Sequence, residues 1–280
     1  MKILDGKQIG RDIRERVAAE TKKYLARGIQ PKLAIIVATD DAQTNWYVSS
    51  ICRAAARCRI ETRVIDLGKN ARTTDISAAL KEQTNDASVH GLILQTPLPT
   101  GVHLDSLLSL IPPEKDIDGA TPLSAGRLAF GLKTFVPATA AAVESLIDYY
   151  HIPLAGKHVV IVGRSRVVGK PVAQLLLARD ATITICHSHS SQLSSYTKQA
   201  DILVVAVGKP GFINPTDVKQ GVVIIDVGTN VVDGDVLVGD VAETASQYAA
   251  AKTPVPGGIG PITTAIILQH TLDAVRAQNH

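Results

Sequence analysis

Hydrophobic and polar positions alternate along the chain in two rhythms. Between Asp5 and Leu25, Ile9, Ile13, Val17 and Tyr24 stand at helical spacing among many charges, which predicts an amphipathic helix. Gly28-Ile29-Gln30-Pro31 breaks it, and the stretch 32–38 (K-L-A-I-I-V-A) then reads as a strand buried on both faces. The same alternation continues with a helix over 43–59, a strand over 60–67 and a helix from Thr73 to Thr84. Thr73-Thr74-Asp75 is the start signal of that last helix. A strand over 89–95 is stopped by Thr96-Pro97-Leu98-Pro99. An Ala-rich helix is predicted over 138–150. Strands follow at 159–162, 182–186, 202–207 and 222–227, and a final helix runs over 262–277. Asp233-Gly234 between apolar flanks predicts a tight hairpin. Strand–helix alternation of this kind predicts an α/β protein built on parallel sheet, and ligands in such sheets bind beyond the carboxyl ends of the strands. Thr39-Asp40-Asp41, Gln95-Thr96-Pro97 and Lys115-Asp116-Ile117-Asp118-Gly119 all fall at such ends.

One stretch carries a recognisable chemistry. Val159–Pro171 reads V-V-I-V-G-R-S-R-V-V-G-K-P: an apolar strand, a turn opened by Gly163, then Gly169 at the start of a helical pattern (Val172, Leu175, Leu176). Strand, glycine turn and helix start together aim backbone N–H groups at a phosphate. The dinucleotide fingerprint G-x-G-x-x-G is imperfect, with Ser165 at the middle position and the last glycine displaced. The next strand ends Cys186-His187-Ser188, without the carboxylate that would hold a ribose 2′-hydroxyl. Arg164 lies on the turn. A guanidinium and a hydroxyl suit a 2′-phosphate, which favours NADP over NAD. The plainer alternative is an ordinary strand–helix turn with Arg164 and Ser188 in solvent. The Pro- and Gly-rich stretch 253–261 mixes fixed and free φ angles, as a wall pressed against a ligand would.

Composition narrows this picture in three ways. Aromatic residues are only 4% of a chain that is 45% hydrophobic, so the cores must be built from Ala, Val, Ile and Leu, as in buried parallel sheets. A net charge of +3 is too mild for nucleic-acid binding but compatible with an anionic small molecule. Cys52, Cys58 and Cys186 form no C-x-x-C pair, so neither a disulfide framework nor a zinc site is expected. His187 and His189 alone carry no metal assignment. With no apolar signal core and no membrane-spanning run, a reducing cytosol is the expected setting.

Six collinear stretches resemble the FolD-type methylenetetrahydrofolate dehydrogenase/cyclohydrolase family. They are Tyr47-Val48, Gln95-Thr96-Pro97-Leu98-Pro99, Lys115-Asp116-Ile117-Asp118-Gly119, Gly163-Arg164-Ser165, Asp226-Val227-Gly228-Thr229-Asn230 and Pro254-Val255-Pro256-Gly257-Gly258-Ile259-Gly260-Pro261-Ile262-Thr263. The resemblance implies a folate-site α/β domain over 1–140, to which a C-terminal helix (262–280) returns, and a Rossmann-like NADP-binding domain over 141–261. It implies a tetrahydrofolate one-carbon derivative as substrate, NADP (or NAD) as cofactor with no metal, and a homodimer formed through the nucleotide domain. Tyr47 matches the family's folate-stacking tyrosine, Gln95 the glutamine of its polar network and Asp118 its pterin-binding acid. Pro256, Gly257 and Gly258 fall to the folate. Gly163, Arg164, Ser165, Gly169, Ser188 and Thr229 fall to the cofactor.

The resemblance breaks at one chemically telling place. The family's helix reads Tyr-Val-x-x-Lys, with the lysine tied to hydrolysis of the methenyl product. This chain reads Tyr47-Val48-Ser49-Ser50-Ile51. Positions i and i+4 share a helix face, so residue 51 is expected beside Tyr47 at the ligand. Arg53, roughly 200° around the helix from Tyr47, is no substitute. Ala120 and Ala138 also depart from the pattern. The expectation is a dehydrogenase with weak or absent cyclohydrolase activity. The alternatives are a fully bifunctional enzyme, a dehydrogenase for another one-carbon carrier, and a non-catalytic binding protein.

Overall fold

In a computed structural model that describes residues 1–232 and 236–279, the apolar runs become the strands of two parallel sheets. The first part of the chain gives β1 (Lys2–Ile3), α1 (Gly6–Ala26), β2 (Lys32–Val37), α2 (Ala42–Arg57), β3 (Glu61–Asp66), α3 (Thr73–Asn85), β4 (Gly91–Leu94), α4 (Leu104–Leu108), α5 (Pro122–Ala129) and α6 (Ala138–Tyr149). The second part gives β5 (His158–Val162), α7 (Gly169–Leu177), β6 (Thr182–Cys186), α8 (Leu193–Thr197), β7 (Ile202–Val205), β8 (Val222–Asp226), β9 (Asn230–Val232), β10 (Val236–Val238), β11 (Ala249–Lys252) and α9 (Ile259–Gln278). Two compact units result, Arg11–Ala138 with Thr264–His280, and Met1–Gly10 with Thr139–Thr263.

The unit holding residues 11–138 is built on a three-stranded sheet of order β3-β2-β4. Central β2 is enclosed from Leu33 to Val37. Ile36, Leu80, Leu92, Leu107 and Leu108 form much of one side of its core. The last helix does return to this unit. Ala265, Ile267, Leu268, Leu272 and Val275 are all buried, the pattern of a helix covered nearly all round. Its polar residues are tied down as well. Gln278 donates to the carbonyls of His90 and Glu114 at 2.9 and 3.0 Å, and Arg276 pairs with Glu20.

The other unit carries six parallel strands in the order β6-β5-β7-β8-β11-β1. Because β6 lies on one side of β5 and β7 on the other, the chain reverses its direction of travel between β5 and β7. The crevice at such a switch is where doubly wound sheets bind their ligands. β1 closes one edge, with Lys2 and Ile3 in register with Ala251 and Lys252. Two residues carry no periodic signal, so this pairing is silent in the sequence.

Several boundaries differ from the sequence pattern for identifiable reasons. β4 starts two residues late, because the N–H of Val89 closes a turn on Asp86. β7 and β8 stop short of 207 and 227, and two buried carboxylates take over backbone donors just beyond them. Asp240 accepts from the N–H groups of Val207, Gly208 and Lys209 at 2.6–3.0 Å. Asp226 accepts from those of Gly228, Asp240 and Val241. The helix predicted from Thr73 is capped one residue earlier, where the N–H of Arg72 donates to Asp75. The Asp233-Gly234 turn lies outside the described residues. Its flanking strands β9 and β10 pair antiparallel.

Candidate active site

In the unit of residues 11–138, β3 and β4 flank β2, so the switch point lies between β2 and β4. A hollow of about 340 Å³ opens there, lined by Asp41, Gln43, Thr44, Tyr47, Gln95, Thr96 and Pro97. Its walls are pinned by local bonds. Asp41 caps α2 by accepting from the N–H and hydroxyl of Thr44 at 2.7 and 2.8 Å, a common way to satisfy a helix start. The same Thr44 hydroxyl lies 3.3 Å from the carbonyl of Thr96, and the N–H of Gln95 donates to Ile36. Gln95 itself is buried. The first turn of α2 and the end of β4 are therefore one polar wall with Tyr47 upon it.

Asp118 stands in the electrostatic field of Tyr47. Burial, and then the charge of Asp118, raises the Tyr47 hydroxyl above the ordinary phenol range. It therefore stays a neutral hydrogen-bond donor. Burial and the neighbouring Asp116 push the Asp118 carboxyl up to about 7, against a hydrogen bond from the Ala138 backbone. The departure at Ala138 thus leaves a backbone contact to Asp118 in place. Gly119 turns the chain with φ +59°, and a Cβ there would lie 2.7 Å from the backbone nitrogen of Pro137. Only glycine fits that approach.

Residue 51 does not sit where its spacing predicts. Ile51 is fully enclosed and belongs to the core stripe Thr44, Val48, Ile51, Ala55. Tyr47 lines the hollow; Ile51 is not among its lining residues. An isoleucine at this position is drawn into the core by the hydrophobic effect, away from the hollow that Tyr47 lines. Arg53 faces a separate hollow with Asn45, Ser49, Cys52 and Asp66. Lys115 is no substitute amine either, since its Nζ is buried among the carbonyls of Gln83, Thr84 and Asp86 at 2.7–3.3 Å.

In the other unit, the β5–α7 turn has the cradle its sequence predicts. Gly163 has φ +126°, and a Cβ there would overlap the carbonyl oxygen of Ala206 at the end of β7. A Cβ on Gly169 would overlap the carbonyl of Gly163. The Ser165 hydroxyl accepts from the N–H of Val168 at 3.1 Å and reaches that of Gly169 at 3.4 Å. Arg164 and Ser188 are exposed at the ends of β5 and β6. Thr229 follows β8, in the segment organised by Asp226 and Asp240. The Pro254–Gly258 segment packs on the chain start, where the N–H of Gly6 donates to Gly257. Among the described residues, no group of three or more His, Cys, Asp or Glu is placed to hold a metal ion, and no helix is long and apolar enough to cross a membrane.

Two groups near Asp118 carry no signal in the sequence. Asp116 is buried and accepts three hydrogen bonds. His270, on α9, shares 2.8 Å with the carbonyl of Ile117 across 153 residues of chain.

Comparison with known proteins covers both parts of the chain. Residues 4–118 match the family model "Tetrahydrofolate dehydrogenase/cyclohydrolase, catalytic domain", and residues 137–279 match its "NAD(P)-binding domain". A "Bifunctional protein FolD 1" of Saccharopolyspora erythraea is 52% identical over 98% of this chain and 94% of its own length. The solved structure of the bifunctional FolD of Campylobacter jejuni has a TM-score of 0.95, with 37% identity and 99% of each chain covered. That of Trypanosoma brucei FolD, complexed with NADP cofactor and an inhibitor, has a TM-score of 0.95 at 33% identity, covering 99% of this chain and 98% of its own. The chain belongs to the tetrahydrofolate dehydrogenase/cyclohydrolase family.

Proposed function

We propose that the protein is an NADP-dependent 5,10-methylenetetrahydrofolate dehydrogenase whose cyclohydrolase activity is weak. The observation that carries this reading is the enclosed Ile51 beside an otherwise complete set of Tyr47, Gln95 and Asp118. Dehydrogenation removes a hydride from the methylene carbon between N5 and N10. The lone pairs of those nitrogens stabilise the cation formed, so no general base is strictly required. What this chain must do is hold the carbon in place. Tyr47 offers a ring face for the folate, Asp118 an acceptor for pterin N–H groups, and Gln95 a buried amide in the same wall. Pro256, Gly257 and Gly258 are assigned to the folate as well. NADP supplies the hydride acceptor. Gly163 and Gly169 permit the tight turn against which its pyrophosphate would lie, Ser165 and Thr229 are assigned to the cofactor as well, and exposed Arg164 and Ser188 are available to its 2′-phosphate.

Hydrolysis asks for more. Water must attack the methenyl carbon and a proton must move, where a positioned acid–base group typically supplies about 10²–10⁴-fold. Ile51 supplies none. Following NADP⁺ reduction with methylenetetrahydrofolate, and then decay of methenyltetrahydrofolate, on one sample tests the reading. Fast hydrolysis would sink it. That outcome would favour full bifunctionality, which the names of the relatives and one observation support: Asp118, held up at about 7, can give or take a proton at neutral pH.

Replacing Arg164 by alanine is expected to raise KM for NADP⁺ by roughly 10–100-fold, since a charged phosphate contact is lost. KM for NAD⁺ should change little. Equal loss with both cofactors would remove Arg164 from the 2′-phosphate.

The homodimer reading rests on β6, an outer strand of its sheet with no charged residue, beside exposed Ile185 and Leu177. Uncovered neutral edges of this kind invite pairing. Sedimentation equilibrium is expected to give about twice the chain mass of 29.6 kDa; the monomer mass would refute this.

A further inference from the structure

Asp116 is 1% exposed, and a buried carboxylate is costly unless its oxygens are satisfied. Here they are satisfied by one short stretch of chain. Oδ1 accepts from the N–H of Ala120 at 3.0 Å. Oδ2 accepts from the N–H of Thr121 at 3.0 Å and from the Ser124 hydroxyl at 2.6 Å. The carbonyl of Asp116 accepts from the N–H of Gly119 at 2.9 Å. One residue thus gathers the backbone that follows Asp118 and holds the start of α5. On the preceding side, the N–H of Ile117 donates to Lys115 at 2.8 Å, and the Ile117 carbonyl meets His270 at 2.8 Å. Asp118 sits at the apex of this tied loop.

We propose that Asp116 is a positioning residue for the reaction, acting on substrate through Asp118, whose path and charge it controls. The inference rests on the reading of Asp118 as the group that meets the pterin.

Mere capping of α5 would be a structural role only. The charge of Asp116 makes the difference. Its carboxylate lies two residues from Asp118 and opposes ionisation of that group. The other groups acting on Asp118 are the Tyr47 hydroxyl on α2 and the Ala138 amide at the start of α6. His270 on α9 faces Ile117, and burial lowers its pKa and favours its neutral form. Lys115 is turned to the carbonyls of 83, 84 and 86. None of these groups is a cation acting on Asp118, so removing the charge of Asp116 must ease its ionisation.

The experiment compares the natural protein with Asp116→Asn and Ser124→Ala. A ¹³C NMR titration of the Asp118 carboxyl is recorded without ligand, and Michaelis constants are measured with methylenetetrahydrofolate and NADP⁺. In Asp116→Asn the Asp118 midpoint is expected to fall by about one pH unit. KM for the folate should rise roughly 10-fold through lost orientation, with KM for NADP⁺ unchanged. Ser124→Ala keeps the charge and loses one bond. It should leave the midpoint in place and raise the folate KM by a smaller factor, about threefold. A folded Asp116→Asn protein with unchanged midpoint and unchanged folate KM overturns the proposal. If that variant does not fold, an unchanged folate KM in Ser124→Ala, with unmoved amide signals at 118–121, overturns it instead. A midpoint that moves while Asp118→Ala leaves folate KM untouched would refute the pterin role of Asp118 and spare the link between the two carboxylates.

Discussion

Placing a lysine at position 51 is expected to raise methenyltetrahydrofolate hydrolysis by about 10²–10⁴-fold, equivalent to roughly 3–5 kcal/mol of transition-state stabilisation. The position lies one turn from Tyr47 on α2, which lines the hollow with Gln95 and feels the charge of Asp118. Isoleucine there is wholly enclosed, so a lysine must carry its amine out along its own methylene stem, as long cationic side chains do. Asp118 gives that amine a reason to turn toward the site. Its carboxyl, pushed up to about 7 by burial and Asp116, should move down once a cation stands near it. Two readouts follow from one variant: hydrolysis gained, and the titration of Asp118 shifted to lower pH. The dehydrogenase rate should change far less. A folded Ile51→Lys protein that gains no hydrolysis would mean that residue 51 does not limit this activity, with Ala120 and Ala138 the next positions to test.

Gly169→Ala is expected to weaken NADP⁺ binding by more than about 100-fold, near 3 kcal/mol. The added methyl would overlap the carbonyl oxygen of Gly163 and approach the Cα of Arg164 to 3.0 Å. Both neighbours are backbone, so no side chain can swing aside. The turn must open, and a phosphate bound on the proposed turn would lose the convergent backbone N–H groups at the start of α7. Gly126→Ala is the matched control. Its Cβ would meet nothing within 4 Å on a helix, where alanine is the better helix former by about 1 kcal/mol. Isothermal titration with NADP⁺ on both variants distinguishes the effects. Normal affinity in Gly169→Ala would mean that the cofactor does not use this turn.

Much of this architecture is written in short-range pattern. The continuous apolar runs of β2, β5, β7 and β8 are legible because parallel strands covered on both faces leave no polar alternation. Gly163 and Gly169 announce the turn because no other residue fits the backbone they approach. What escaped is what depends on distant partners. β1 is two residues long and exists only through β11. The closed position of Ile51 follows the buried stripe Thr44, Val48, Ile51 and Ala55 of α2, which the spacing from Tyr47 alone does not reveal. Asp116 reads as part of a Lys-Asp-Ile-Asp-Gly stretch, and nothing in that stretch distinguishes the carboxylate that ties the loop from the one that acts on Tyr47. The Asp226–Asp240 pair is similarly silent, since its job is to capture backbone donors contributed by three separate loops.

The pairing of β1 with β11 also sets an order for biosynthesis. Lys2 and Ile3 precede their partners Ala251 and Lys252 by about 250 residues, some 12–50 s of synthesis at ordinary elongation rates of roughly 5–20 residues per second. The unit of residues 11–138 waits as well, since the helix that completes it is made only after the other unit. Neither half is therefore a finished object while the nascent chain is growing. An enzyme organised in this way completes both of its cores late and nearly together, and shorter chains expose the apolar surfaces that β11 and α9 cover.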